Sequence, residues 1–438
     1  MKIDTKINQI EYECEFLLKN ADKQEVSFTK SAVREIIIID NVFQLFQTGT
    51  VGISNPYDFL ETDFLLRGDG RDTLKIMFKA KDKPDSEKYE HEFFVVDDKN
   101  AGNQDTRGEN IKTYSLLSVD ALPFTELAPY GKSYNGLIGD MLKEIFIDLL
   151  GEEAVDSENW ESGDFDLGYT VPLGWRYRDV MNDLLHLFYA KDGDTFSKAL
   201  LQKDKKTNKY TFTLLSAIFE KNKDLLQEAF ALGDLVSDAN MSNPNNPPPD
   251  GSTGQYIGAM RNLGYSTPAH EITNNFFVSR LVHAYDPILG ETQIRKISIK
   301  DLREKWKVKY VDVFTSIGGK PKPFIVLNDT NDKKFTQIKL PYTINQNSAL
   351  AEAELNTAMV FYNLQASFIN IGDSLRASGS FIDIYKPKNQ TVKSDEKLLG
   401  RWFVTEIRHI FAVDTYKNMF ICTKTYVGPT SKIKEDVE

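Results

Sequence analysis

The chain has 438 residues, enough for about three domains at ~150 residues each. With 41% hydrophobic and 27% charged residues it reads as a folded, soluble chain, which excludes intrinsic disorder. A net charge of -11 excludes a nucleic-acid binder that works through a basic stripe. An acidic wall still suits a passage that lets DNA slide without sticking.

Residues 1–118 read as short strands with polar turns, the habit of a barrel or sandwich. Ile36 to Ile39 form a β-branched run that predicts a strand buried on both faces. Thr50 to Pro56 predicts a strand ending in a turn. In Leu74-Lys75-Ile76-Met77-Phe78 the apolar residues Leu74, Ile76 and Phe78 share one face. Strands at Glu92–Val96 and Thr113–Ser118 follow.

Residues 119–228 change character to a small α+β domain. From Asn135 to Leu150, Ile138, Met141, Leu142, Ile145 and Leu149 carry helical spacing, with Ser133 as the expected cap and Gly151 as the stop. A second helix is expected from Tyr177 to Tyr189, with Val180, Leu184, Leu187 and Phe188 on its stripe. The strands Phe196–Leu201 and Tyr210–Leu215 then form a hairpin. Residues 229–345 begin with a Pro/Asn loop at 243–251 that can neither pair in a sheet nor bury a core. Strands at Phe276–Tyr285 and Thr292–Ile299 follow, and return to the first barrel or form a linking domain. Residues 346–438 hold a helix at Ala349–Tyr362 and a closing β region from Gln365.

No motif carries chemistry. Gly131-Lys132-Ser133 resembles the end of a phosphate loop, but the glycine required five residues earlier is Glu126. Gly68-Asp69-Gly70 lacks the third glycine of a dinucleotide loop. His91-Glu92 starts like a zinc-protease helix, yet Val95 occupies the second histidine position. The histidines His91, His186, His270, His283 and His409 are never at ligand spacing and read as core-edge or surface residues. The acidic stretch Glu152, Glu153, Asp156, Glu158, Glu161, Asp164, Asp166 lacks an ordered calcium loop and reads as a solvated loop. Cys14 and Cys422 form no CxxC and are expected as buried thiols in strands. No catalytic, cofactor-binding or metal-binding residue is singled out, and no cofactor is expected. The N-terminus has no apolar signal core and no apolar run nears the ~20 residues of a membrane span, so the chain is expected in the cytosol or assembled there, without membrane insertion.

The two β regions share a weak order of features. Gly70 to Phe78, then Phe93-Phe94-Val95, then Tyr114 is echoed by Gly379 to Tyr385, then Trp402-Phe403-Val404, then Tyr416. Duplication is one reading; any two Greek-key barrels could show the same order.

The order of pieces across residues 25–426 carries a resemblance. It runs through Gly49–Pro56, Tyr114–Ser118, Lys132-Ser133-Tyr134, Val171-Pro172-Leu173-Gly174-Trp175, Asn275–Leu281 with Tyr285-Asp286, Gly400–Val404 and Tyr416–Lys424. The chain resembles the baseplate hub proteins of contractile-tailed bacteriophages, and is similar to the hub half of type VI secretion spike proteins. The resemblance implies a mainly β fold with an α+β insertion: two antiparallel, tail-tube-like β-barrel domains plus a small α+β domain. It implies a structural protein of the virion tail baseplate, with no enzymatic activity. Its subunits would form a homotrimer, so that three chains offer six barrels. Expected partners are the central spike protein, the tail tube or tube-initiator protein, wedge proteins and the tape measure protein, while DNA passes without specific binding. The alternatives are a tube initiator or spike-bound adaptor, a β-rich glycan-binding protein, or a cell-wall hydrolase.

Overall fold

The computed structural model describes residues 3–7, 10–28, 32–54, 60, 64, 66, 71–80, 89–99, 111–204, 207–222, 228–231, 256–259, 261–266, 280–286, 291–297, 322–327, 344–361, 364–385, 399–412 and 415–424. The expected Pro/Asn loop at 243–251, His270 and residues 275–279 lie outside them.

The N-terminal region consists of β1 (Ile3–Ile7), β2 (Ile10–Lys19), β3 (Glu25–Ser27), β4 (Val33–Asn41), β5 (Thr48–Ser54), β6 (Asp72–Ala80), β7 (Tyr89–Lys99) and β8 (Ile111–Ser118). They pair in the order β1-β2-β6-β7-β8-β5-β4, with β3 also on β2. Alternation decides which side chains enter the core. Leu74, Ile76 and Phe78 are buried together with Phe16, Phe93, Val95, Tyr114 and Leu116. The isoleucine run obeys the same period, which corrects the expectation of burial on both faces. Ile36 and Ile38 are fully buried, whereas Ile37 and Ile39 are half-buried, because the strand has one face on the core.

The middle region contains α1 (Leu122–Glu126), β9 (Ser133–Leu137), α2 (Ile138–Leu150), β10 (Val155–Trp160), β11 (Asp166–Thr170), α3 (Tyr177–Leu187), β12 (Ala190–Asp192), β13 (Thr195–Ser197), β14 (Ala199–Lys203), β15 (Tyr210–Leu214) and α4 (Leu215–Asn222). The first expected helix starts at Ile138, three residues late. Residues 135–137 belong instead to β9, which pairs antiparallel with β11 and sets Tyr134 against Tyr169, both buried. Ser133 is therefore a strand residue, and Leu137 stands at the cap without a side-chain bond. The acidic stretch is likewise partly ordered: β10 runs parallel to β15, and β11 carries Asp166. The helical stripe holds. Ile138, Met141, Leu142 and Ile145 meet Val180, Met181 and Leu184 of α3, with Phe124, Phe146, Phe188 and Phe212 filling the interior.

The C-terminal region contains β16 (Glu228–Ala231), β17 (Tyr256–Ala259), β18 (Arg261–Ser266), β19 (Arg280–Asp286), β20 (Glu291–Ile297), β21 (Lys322–Leu327), α5 (Ile344–Phe361), β22 (Leu364–Ile371), β23 (Phe381–Tyr385), β24 (Gly400–Ala412) and β25 (Thr415–Lys424). β23, β24 and β25 form an antiparallel meander, β22 adds to β25, and β18 adds to β22. β16 lies parallel between β23 and β17. β20-β19-β21 is a separate sheet. Trp402, Val404, Ile407, Phe368 and Phe420 fill the core beneath the meander.

Two elements tie these parts together. α5 is apolar on several sides and touches several neighbours. Ala349 and Ala353 enter the α+β core, while Ala351 and Leu355 pack on Val282 and Ile297 of the separate sheet. β24 is the second tie. Along one edge its residues 400–403 pair with β23, and its residues 406–412 pair with β4. The handover falls at a register shift between Val404 and Glu406, where an irregularity bends a strand toward a new neighbour. The two β regions are therefore one mostly antiparallel sheet of fifteen strands, and its pairing path is open among the described residues.

Past the handover β24 feeds the N-terminal core. Phe411 stacks on Phe78 at 3.6 Å between centroids and on Tyr416 at 4.2 Å. Truncation by Phe411→Ala should cost about 3–5 kcal/mol. Chemical denaturation measures the loss, and limited proteolysis should release residues of both β regions rather than the C-terminal one alone.

Candidate functional site

A polar junction lies where the N-terminal sheet, the α+β region and the C-terminal meander meet. β4 ends there in Asp40 and Asn41, and the following loop drives Phe46 into the α+β core against Phe124 at 4.9 Å. The Ser378 hydroxyl donates to Asp40 at 2.8 Å, and the Asn41 amide donates to Glu406 at 2.6 Å. A small polar cavity, with room for about 40 Å³ of water, lies between Asp40, Gln47, His91, Ser118, Gln202, Lys203 and Tyr210. That volume holds a few water molecules.

Asp120 stands beside the cavity, just past β8. Its carboxylate accepts from the Lys203 ammonium at 2.5 Å and from the Tyr210 hydroxyl at 2.8 Å. Burial pushes the Asp120 carboxyl up, but the charge and hydrogen bond of Lys203 and the bond from Tyr210 outweigh it and leave the group below its usual range. Burial and the neighbouring Asp120 push the Tyr210 hydroxyl far above its usual range. Lys203 also sits 5.2 Å from the Tyr210 ring. The His91 ring lies 2.9 Å from the Ser118 hydroxyl, the start of a nucleophile-base pair. Ser118 is buried, however, and the Asp120 carboxylate is held by Lys203 and Tyr210. The arrangement is a structural clasp between α+β and β regions.

The other histidines are dispersed. His186 is exposed, 3.9 Å from Glu354, and His283 lies half-buried on β19. His409 departs from the expectation of an edge residue, because it is fully buried and hydrogen-bonded to Tyr416 and Asn418. Cys14 and Cys422 are buried in β2 and β25 and are in no disulfide. Among the described residues no three His, Cys, Asp or Glu side chains are placed to hold a metal ion. No helix among them is long and apolar enough to cross a membrane.

One surface feature stands out. Tyr130 is 82% exposed and Leu173 is 90% exposed, with Leu127 exposed nearby. Hydrogen bonds from Tyr177 N to the Leu127 carbonyl and from Val171 N to the Lys132 carbonyl stitch the two loops together. Pro172-Leu173-Gly174-Trp175 is a tight turn closed from Trp175 N to the Pro172 carbonyl at 3.3 Å. Gly174 takes φ 85°, a left-handed value that favours glycine, and the turn thrusts Leu173 outward. In the sequence this segment stands only as a motif of the resemblance, and no turn is read there. Nor does the sequence signal the clasp, whose members Asp120 and Lys203 are 83 residues apart.

The clasp yields a pH-linked prediction. Asp120 has a folded pKa below its unfolded one, so its contribution is present above the ordinary carboxylate range near ~4 and is lost as pH falls through the folded value. Lys203→Met should destabilise the protein by about 1–3 kcal/mol at pH 7 and start the acid loss at higher pH. Denaturant titrations at a series of pH values between 3 and 7 measure both effects.

No family model matches the chain, and no curated protein matches it by sequence. Solved structures do match. A tail protein from Neisseria meningitidis aligns over 97% of this chain and 98% of its own, with TM-score 0.52 and 8% identity. A 43 kDa tail protein of prophage MuSo2 from Shewanella oneidensis aligns over 94% of this chain and 98% of its own, with TM-score 0.49 and 9% identity. A component of the type VI secretion system of E. coli aligns over 92% of this chain and 76% of its own, with TM-score 0.41 and 9% identity. From end to end the chain shares the fold of the Neisseria tail protein, in agreement with the resemblance drawn from its ordered strand motifs.

Proposed function

We propose that the chain is the structural hub of a phage-type tail baseplate, a homotrimer that joins the tail tube to a central spike and lets DNA pass. The full-length likeness to a solved tail protein carries this reading. Two further features support it. β6-β7-β8 and β23-β24-β25 are both antiparallel meanders, the arrangement expected if each region is one of two tube-like barrels. Three chains then present six such units to a six-fold tube and three-fold symmetry to a spike. The net charge of -11 suits a lumen that repels DNA phosphates.

The proposed divisions are a first barrel over 1–118, an α+β domain over 119–228, a linking segment over 229–345, and a helix with the second barrel over 346–438. The partners are the spike, the tube or its initiator, wedge proteins and the tape measure protein. The place of assembly is the host cytoplasm and the final location is the virion baseplate. The role is architectural, with no chemistry at the polar junction. The exposed Leu127, Tyr130 and Leu173 suit a protein built for a large assembly.

Native mass measurement and negative-stain imaging test the proposal. The expected species is a ring near 150 kDa, three times the 49.9 kDa chain, alone or with the candidate spike. Hexamers would favour a tube initiator. Compact monomers that form no ring even with the spike would sink the hub reading, and peptidoglycan cleavage would replace it with a hydrolase.

A further inference from the structure

Gln202 of β14 reaches from the α+β region to the turn before β23, where its amide lies against Gly379. The turn is shaped to receive it. Gly379 takes φ 77°, and a Cβ there would collide with the Gln202 amide. The same turn is pinned to the meander: Gly379 N donates to the Val404 carbonyl at 2.8 Å, and Val404 N donates to the Ser380 carbonyl at 2.9 Å. Its neighbour Ser378 donates its hydroxyl to Asp40 of β4 at 2.8 Å. Gln202 Nε2 is thus held at the meeting of three parts, yet it is buried and has no hydrogen-bond partner among the described residues. A buried amide donor left unpaired carries the full cost of its lost hydration, so a group of this kind points to a partner that is not protein.

Gln202 and Ser378 both line the polar cavity of the junction, with Asp40, Gln47 and Lys203. The cavity has room for about 40 Å³ of water. One buried water needs about 10–15 Å³ measured in this way, and two to four polar groups around it. The charges of the lining select the occupant. An anion would face the Asp40 carboxylate, with Asp120 beside it, and a cation would face the Lys203 ammonium. A neutral molecule that both donates and accepts suits this mixed wall, and at this size that molecule is water.

We propose that the cavity is a hydrated joint: bound water accepts from Gln202 Nε2, donates to the Asp40 carboxylate, and so bridges β14 of the α+β region to β4 and the turn before β23. The carboxylate can take this bond in addition to the one from Ser378, because its two oxygens offer about four acceptor positions. An amide turned the other way would put an acceptor in the place of the donor; water would then donate to it, and the bridge would stand. Gln202 is a positioning residue in this joint. It holds the water, and the water joins parts of the chain that make no direct bond through this amide.

The test compares the full-length wild type with Gln202→Met, which keeps the reach and bulk of the side chain and removes the amide. Chemical denaturation is run on both at one protein concentration. If water satisfies the amide, the variant loses a bond, and its folded-to-unfolded ratio should fall roughly fivefold. If the amide is buried unpaired, its removal relieves a desolvation cost and the ratio rises. A rise, or no change, would overturn the proposal. A high-resolution crystal structure of the wild type gives the second measurement, and decides alone if the variant does not fold. Water density about 2.7–3.2 Å from the Gln202 amide and within reach of Asp40 supports the bridge. A dry site, an ion in that place, or an amide bonded to protein groups rejects it, whatever the variant does.

Discussion

The pairing of β24 with β4 is the constraint on which the rest depends. Seven residues, Glu406 to Ala412, lie against Asn41 to Glu35 and join the last strands of the chain to its first. The same strand, one register shift earlier, lies on β23. One strand therefore serves two cores: Trp402 and Val404 fill the C-terminal one, and Phe411 fills the N-terminal one. Tyr416, across the turn on β25, follows Phe411 into the N-terminal cluster. Cutting the chain between the two β regions would leave each without part of its interior.

The seam positions everything near it. β4 continues beyond its pairing into Asp40, Asn41 and the loop that buries Phe46 in the α+β core. That loop, the Asp120–Lys203–Tyr210 clasp and the bond from Ser378 to Asp40 hold three parts at one point. α5 braces the opposite connection. Its Asn356 side chain donates to the Phe196 carbonyl, Phe196 N donates to its Glu352 side chain at 3.2 Å, and its Val360 carbonyl accepts from Thr423 at 2.8 Å. These joints are satisfied by hydrogen bonds between the parts they connect.

Histidine, serine and aspartate also gather at this junction. His91, Ser118 and Asp120 come within one neighbourhood, yet each is committed to a structural partner. An active site needs a cleft and a nucleophile that a substrate can reach. Here the cavity has room for a few water molecules and Ser118 is buried, while exposed apolar side chains such as Leu173 and Tyr130 stand on a tight turn and its neighbouring loop.

Local order was largely legible in the sequence. The period-two alternation of Leu74, Ile76 and Phe78 and the helical stripe of α2 both appear where their spacing put them, because side-chain direction follows from backbone geometry alone. The ordered strand motifs likewise pointed to a tail-protein fold. Pairing between distant segments was not legible. Which edge β4 would find, where β24 would change neighbours, that Ser133 would join β9 rather than cap a helix, and that His409 would be buried all depend on contacts between residues far apart in the chain. Such contacts leave no local period. They are decided when the segments fold together, because a buried polar group or an open strand edge is stable only if another part of the chain arrives to satisfy it.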